Sequence, residues 1–126
     1  MAIITGTPRS FSPLGLGCWQ YHPELWGAEQ DQALIATMEA ALAHGTDHFD
    51  TATGYGEGAS EKLVGRFLQG RRGQVFVATK GGIQDEDPQT ILESVKSSLE
   101  RLNTDYIESM PTSSPTTCSG VPPSVR

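Results

Sequence analysis

Three side chains of complementary chemistry lie within thirty-one consecutive residues: a carboxylate, Asp50, a phenol, Tyr55, and an amine, Lys80. A phenol with a reference pKa of about 10 exchanges its proton poorly near neutrality unless a cation lies beside it. Lys80 can be that cation, and Asp50 can hold Lys80. Together they suit delivery of a proton to an oxygen that gains negative charge. Singly, each has a plainer reading, with Asp50 binding loop amides, Tyr55 packing and Lys80 ending a strand in solvent. The joint reading requires that the three meet at one end of a sheet.

The surrounding elements meet that requirement. Within residues 45–61 a short strand runs into Asp50, a glycine-rich loop carries Tyr55, and Ser60-Glu61 opens a helix with Ser60 as its N-cap. Val75-Phe76-Val77-Ala78-Thr79-Lys80 is a second apolar strand that ends in the lysine and is followed by Gly81 and Gly82. Leu14-Gly15-Leu16-Gly17-Cys18-Trp19 reads as a buried strand, and Asp105-Tyr106-Ile107 begins a fourth. Strand starts near 14, 46, 75 and 105 are about thirty residues apart, the period of a repeated βα unit.

Each gap has a helical apolar stripe. The first, over 28–44, holds Leu34, Ile35, Met38, Ala41 and Leu42, with Gly45 just beyond it. A second, over 60–69, holds Leu63, Val64, Phe67 and Leu68, and the third, over 88–102, holds Ile91, Leu92, Val95, Leu99 and Leu102 behind an Asp87-Pro88 start. Helical crossovers imply parallel strands. The spacing therefore predicts strands ending near Trp19, Asp50, Lys80 and Ile107, which puts Asp50, Tyr55 and Lys80 beyond the carboxyl ends, where α/β sites lie.

At 126 residues with 37% hydrophobic content, the chain has the length and composition of one globular unit. Nine basic against fifteen acidic residues, net −6, argue against a nucleic-acid or anionic-membrane partner, which would need clustered Lys and Arg. The start, Met1-Ala2-Ile3-Ile4, offers neither a charged leader nor a long apolar run, so a cytoplasmic protein is expected. Residues 1–13 read as a lead-in and 21–27 as a loop rich in aromatics. Cys18 and Cys118 are far apart and lack neighbouring ligands at metal spacing, so no metal site is expected and Cys18 reads as a small buried residue.

Over about residues 14–107 the sequence resembles the aldo-keto reductase family. The resemblance rests on Leu14-Gly15-Leu16-Gly17-Cys18-Trp19, on Phe49-Asp50-Thr51-Ala52, Tyr55-Gly56 and Ser60-Glu61, on Ala78-Thr79-Lys80, and on Leu102-Asn103-Thr104-Asp105-Tyr106-Ile107. Trp26-Gly27 and the run 56–61 look most like bacterial general oxidoreductases of that family. It implies the first four βα units of a (β/α)8 barrel that reduces small aldehydes or ketones with NADPH, or less often NADH. By motif position Tyr55 would be the proton donor, Lys80 the cation assisting it and Asp50 the partner of the lysine. Gly17, Trp19 and Asp50 would lie on the cofactor side, with core packing an equal reading for Trp19. His48, inside its strand, reads as structural.

The family's fourth catalytic member, a histidine past the fourth strand, has no counterpart, because no histidine follows His48. From 108 to 126, twelve of nineteen residues are Ser, Thr or Pro, so this stretch is expected to be a disordered tail. Because the resemblance stops just past Ile107, within a strand, a change of reading frame is the expected origin, with natural truncation as the alternative. The expected product is a truncated barrel, inactive alone. The alternative is a non-catalytic fragment that acts by association with another chain, including self-association through open sheet edges.

Overall fold

The apolar spacing that marks each helix in the sequence is also what buries one face of it. In the computed structural model, which describes residues 11–19, 31–81 and 87–110, the order is β1 (Gly15–Gly17), α1 (Asp31–Ala43), β2 (His48–Asp50), α2 (Ala59–Leu68), a 3-10 turn (Arg72–Gln74), β3 (Phe76–Ala78) and α3 (Pro88–Leu102). The strands form one sheet in the order β1-β2-β3. Both pairings are parallel, with Gly17, Asp50 and Ala78 in register. The lead-in before Phe11, the aromatic loop at 21–27, the start of the first helix at 28–30, Cys118 and the sequence after Met110 lie outside the described residues.

Alternation along each strand divides the sheet into two faces. Phe49 and Val77 point into the helical layer and are fully buried with Met38, Val64, Phe67 and Leu102, and Phe49 stacks on Phe67 at 5.3 Å between ring centroids. The opposite face, which carries His48, Asp50, Phe76 and Ala78, borders an open concavity of about 530 Å³. Helix α2 is the most buried of the three helices, and α1 the least, fully burying only Met38. Close approach of α2 to α3 depends on Gly65, because a Cβ there would stand 2.7 Å from the Arg101 carbonyl oxygen. Cys18 is buried, as its sequence context suggested.

Four local expectations need correction. Strand β1, expected to be buried, is exposed at Gly15 and Gly17 and only half-buried at Leu16. Ser60 is not the N-cap of α2; Gly58 is, at φ 93 with no side-chain cap, and Ser60 is the second residue of the helix, with its hydroxyl bonded to other elements. Strands β1 and β3 end two residues early, at Gly17 and Ala78 rather than at Trp19 and Lys80. Bonds of ladder type nevertheless continue past those ends, with Thr51 N–H donating to the Ala78 carbonyl at 2.8 Å and Thr53 N–H to the Lys80 carbonyl at 2.9 Å. In place of a regular fourth strand, Ile107 and Ser109 are isolated bridge residues, Ser109 pairing in parallel with Ala78.

That last difference has a specific cause in Glu108, which had been expected to begin a tail. Its carboxylate takes the Val77 N–H at 2.8 Å, a donor that a regular fourth strand would meet with a main-chain carbonyl. The same carboxylate receives both terminal nitrogens of Arg72, at 2.8 and 3.2 Å. Arg72 also donates to the carbonyls of Val75 and Tyr106 and lies 3.9 Å over the Tyr106 ring. Ile107, Glu108 and Met110 are all buried, so packing against the sheet continues to the end of the described segment.

A buried pair of this kind is costly to break from one side, since the surviving charge stays in a poor solvent. Glu108→Ala should lower the unfolding free energy by about 3–5 kcal/mol, read from urea melts of the 126-residue chain. A change within error of zero would mean that Glu108 belongs to a solvated tail after all.

Candidate active site

Asp50 closes β2, and its carboxylate stands on the concave face at the carboxyl end of the sheet. Two residues beyond β3, Lys80 reaches back across that end. Its Nζ donates to Asp50 Oδ1 at 2.6 Å and to the Thr51 carbonyl at 3.3 Å. The Lys80 and Asp50 side chains are 30% and 39% exposed, so the ion pair can be reached by a ligand. Tyr55 is held by its own backbone, with its N–H on the Ala52 carbonyl and its carbonyl on the Ser60 N–H, each at 3.2 Å. Lys80 Nζ lies 5.4 Å from the Tyr55 ring centroid, inside the range for attraction between a cation and an aromatic face. Asp50, Tyr55 and Lys80 therefore meet, as the order of elements required.

On the β1 side, Cys18 N–H donates to the Asp50 carbonyl at 2.9 Å and so brings Trp19 to the same sheet end. Trp19 is 56% exposed, so it is not packed into the core formed by the described residues. Around Gly17 no atom of the described residues lies within 4 Å of where a Cβ would stand. His48 lies at the opposite, amino end of the strands, where its ring makes edge contacts with Phe11 and Phe76 at 5.1 Å, the structural part expected of it. Among the described residues no group of three or more His, Cys, Asp and Glu could hold a metal ion. No helix there is long and apolar enough to cross a membrane.

A layer of buried polar groups behind the site is what residue spacing did not disclose. Ser60 donates through Oγ to the Cys18 carbonyl at 2.8 Å, so the 2.7 Å contact between Ser60 and Thr51 hydroxyls must be donated by Thr51. Glu61 is 0% exposed. Its carboxylate accepts from Thr79 Oγ1 and from Arg101 Nε, each at 2.5 Å. Arg101 Nη2 also reaches Thr53 Oγ1 and Ser98 Oγ at 3.3 Å. The only hint in the sequence was a polar Ser60-Glu61 pair set directly before an apolar stripe.

A sequence profile described as "Aldo/keto reductase family" matches residues 13–111. The chain belongs to the aldo/keto reductase family. Aldo-keto reductase YhdN of Bacillus subtilis is 38% identical over 115 residues, covering 83% of this chain and 35% of that protein. Methylglyoxal reductase YeaE of Escherichia coli is 33% identical over 99 residues, covering 79% and 34%. Among solved structures, an aldo-keto reductase from Klebsiella pneumoniae in complex with NADPH superposes with a TM-score of 0.69 at 33% identity, covering 76% of this chain and 33% of that one. A thermostable relative, Tm1743, gives 0.71 at 29% identity, covering 83% and 39%. The sheet and helices are thus part of the (β/α)8 barrel of the aldo-keto reductases, and the concave face is the barrel interior. The chain spans about a third of the length of the curated aldo-keto reductases it matches.

The exposure of the Lys80–Asp50 pair separates it energetically from the buried ones. Ion pairs open to solvent contribute roughly 0–1 kcal/mol. Lys80→Met should therefore shift the urea midpoint only slightly. A loss as large as that expected for Glu108→Ala would make the pair a structural brace.

Proposed function

We propose that this chain supplies the proton-donating wall of a site that reduces a small aldehyde or ketone to an alcohol. The observation that carries the reading is the double engagement of Lys80, whose Nζ is fixed on Asp50 at 2.6 Å while facing the Tyr55 ring at 5.4 Å. A substrate oxygen beside Tyr55 would accept the phenolic proton as it gains charge. The ammonium of Lys80 favours the phenolate left behind, and Asp50 keeps that ammonium from swinging to solvent. Because the pair is partly exposed, water can return the proton afterwards.

The cofactor is NADPH, with NADH as the less common choice, and when bound it would supply the hydride. Exposed Trp19, unobstructed Gly17 and the half-exposed Asp50 fit the nicotinamide end. Among the described residues Lys80 is the cation beside Asp50 at this sheet end, while Arg101 is turned toward Glu61. Cations for the cofactor's phosphates must then come from other segments. A carbonyl substrate accords with the methylglyoxal reductase name of the Escherichia coli relative.

A second reading is favoured by the open interior face. Phe11 and Leu14 are exposed and border a sheet whose β1 has no strand on its outer side among the described residues. In that reading the chain acts only once further strands, from another chain or a second copy, cover the face.

Two assays separate the readings. The 126-residue chain alone, and a chimera in which its residues 13–111 replace the matching part of the Bacillus subtilis relative, are each given NADPH and an activated aldehyde while loss of nicotinamide absorbance is followed. Turnover by the chimera but not by the chain alone supports association, and light scattering should then find the chain oligomeric. In the chimera, Tyr55→Phe should cut turnover by roughly 10²–10⁴-fold while NADPH binding, followed by fluorescence, is nearly unchanged. Near wild-type turnover in that variant would remove Tyr55 as the acid.

A further inference from the structure

A fully buried carboxylate in the first turn of a helix is an expensive way to fill space, since an apolar side chain could pack there without desolvating a charge. Glu61 is such a residue, and its two bonds run to two different elements: Thr79, just past β3, and Arg101, in α3. We propose that Glu61 is a positioning residue for Lys80, acting through Thr79. The inference rests on the reading of Lys80 as the group that assists Tyr55.

The bonds around Glu61 form a closed ring. Its carboxylate holds the Thr79 hydroxyl, and Thr79 is joined covalently to Lys80. The Lys80 carbonyl accepts the Thr53 N–H at 2.9 Å, and the Thr53 hydroxyl accepts from Arg101 Nη2 at 3.3 Å. Arg101 Nε then returns to Glu61. Outside the ring, the Thr79 N–H is held by the Ser109 carbonyl at 3.0 Å. The main chain from Thr79 to Lys80 is thereby fixed on both sides, and only the Lys80 side-chain torsions remain to be set by Asp50.

The ring also touches the loop that carries Tyr55. Arg101 passes across Gly58, where a Cβ would stand 2.6 Å from its Cδ and where φ is +93°. Any side chain at that position would press on Arg101 and strain the turn. One buried carboxylate thus registers the lysine and, through Arg101, the loop of the phenol.

The chain has three lysines, and Lys62 and Lys96 are exposed, so ¹⁵N-lysine labelling of the full chain yields one site signal with two internal references. In the wild type the Lys80 ammonium should be shifted from the other two and exchange its hydrogens slowly, and Asp50→Asn should abolish both features. Loss of one hydrogen bond at Thr79 is worth up to about tenfold in an equilibrium. Thr79→Val, nearly isosteric, should therefore speed ammonium exchange at Lys80 by about that factor, with Lys62, Lys96 and the amide protection of Phe49 unchanged. Glu61→Gln should do the same or more, and Thr79→Val serves alone if that variant does not fold. An unaltered Lys80 signal in folded Thr79→Val, with Asp50→Asn still effective, overturns the positioning role and leaves the site reading intact. If Asp50→Asn is also silent, the Lys80–Asp50 pair does not exist in solution, and the site reading falls with the inference.

Discussion

The carboxyl ends of three parallel strands diverge into loops, and the first turn of α2 is what gathers them. Ser60 binds the ends of β1 and β2 through the Cys18 carbonyl and the Thr51 hydroxyl, while Glu61 binds the end of β3 through Thr79. Helix α3 joins through Arg101, and the close packing that brings Arg101 there requires the missing side chain at Gly65. These groups are buried, where a satisfied hydrogen bond is strong and an unsatisfied one is costly. The sheet end has therefore little freedom to rearrange, and the side chains projecting from it inherit that rigidity.

The charged pairs divide by depth, and the division tracks what each does. Arg72–Glu108 and Arg101–Glu61 have carboxylates that are 3% and 0% exposed, and both tie backbone or loop segments together. Lys80–Asp50 is partly exposed and open to a ligand, with Asp50 bordering the concavity. The amino end of the sheet is different again, with Phe11, His48 and Phe76 in mutual ring contact at 4.4–5.1 Å between centroids. Aromatic rings line one end of the interior face, and a polar, reachable cluster occupies the other. That is the polarity a barrel site needs, with chemistry at the carboxyl ends and stability at the amino ends.

Much of this was legible in the residues because it rests on local patterns. The stripes of Leu63, Val64, Phe67 and Leu68, and of Val95, Leu99 and Leu102, each mark a helix, since burial repeats every three or four residues. The thirty-residue period correctly implied parallel strands, and with them the meeting of Asp50, Tyr55 and Lys80. What escaped is non-local. Ser60 looks like an N-cap, yet its hydroxyl bonds Cys18, forty-two positions away. Glu108 looks like the start of a polar tail, yet Arg72, thirty-six positions earlier, draws it into the core. Glu61 and Arg101 look like ordinary surface charges on amphipathic helices, and only the fold shows them facing each other in the interior.

The family relationship fixes the ancestry, and the proposed chemistry turns on one group, the Tyr55 hydroxyl. The most direct test is a crystal structure of the chimera with NADP⁺ and a carbonyl-bearing substrate analogue. The account predicts the Tyr55 hydroxyl about 2.6–3.2 Å from the carbonyl oxygen, with Lys80 still paired to Asp50 on its far side. A Tyr55 hydroxyl turned away from that oxygen, with another donor in its place, would contradict it.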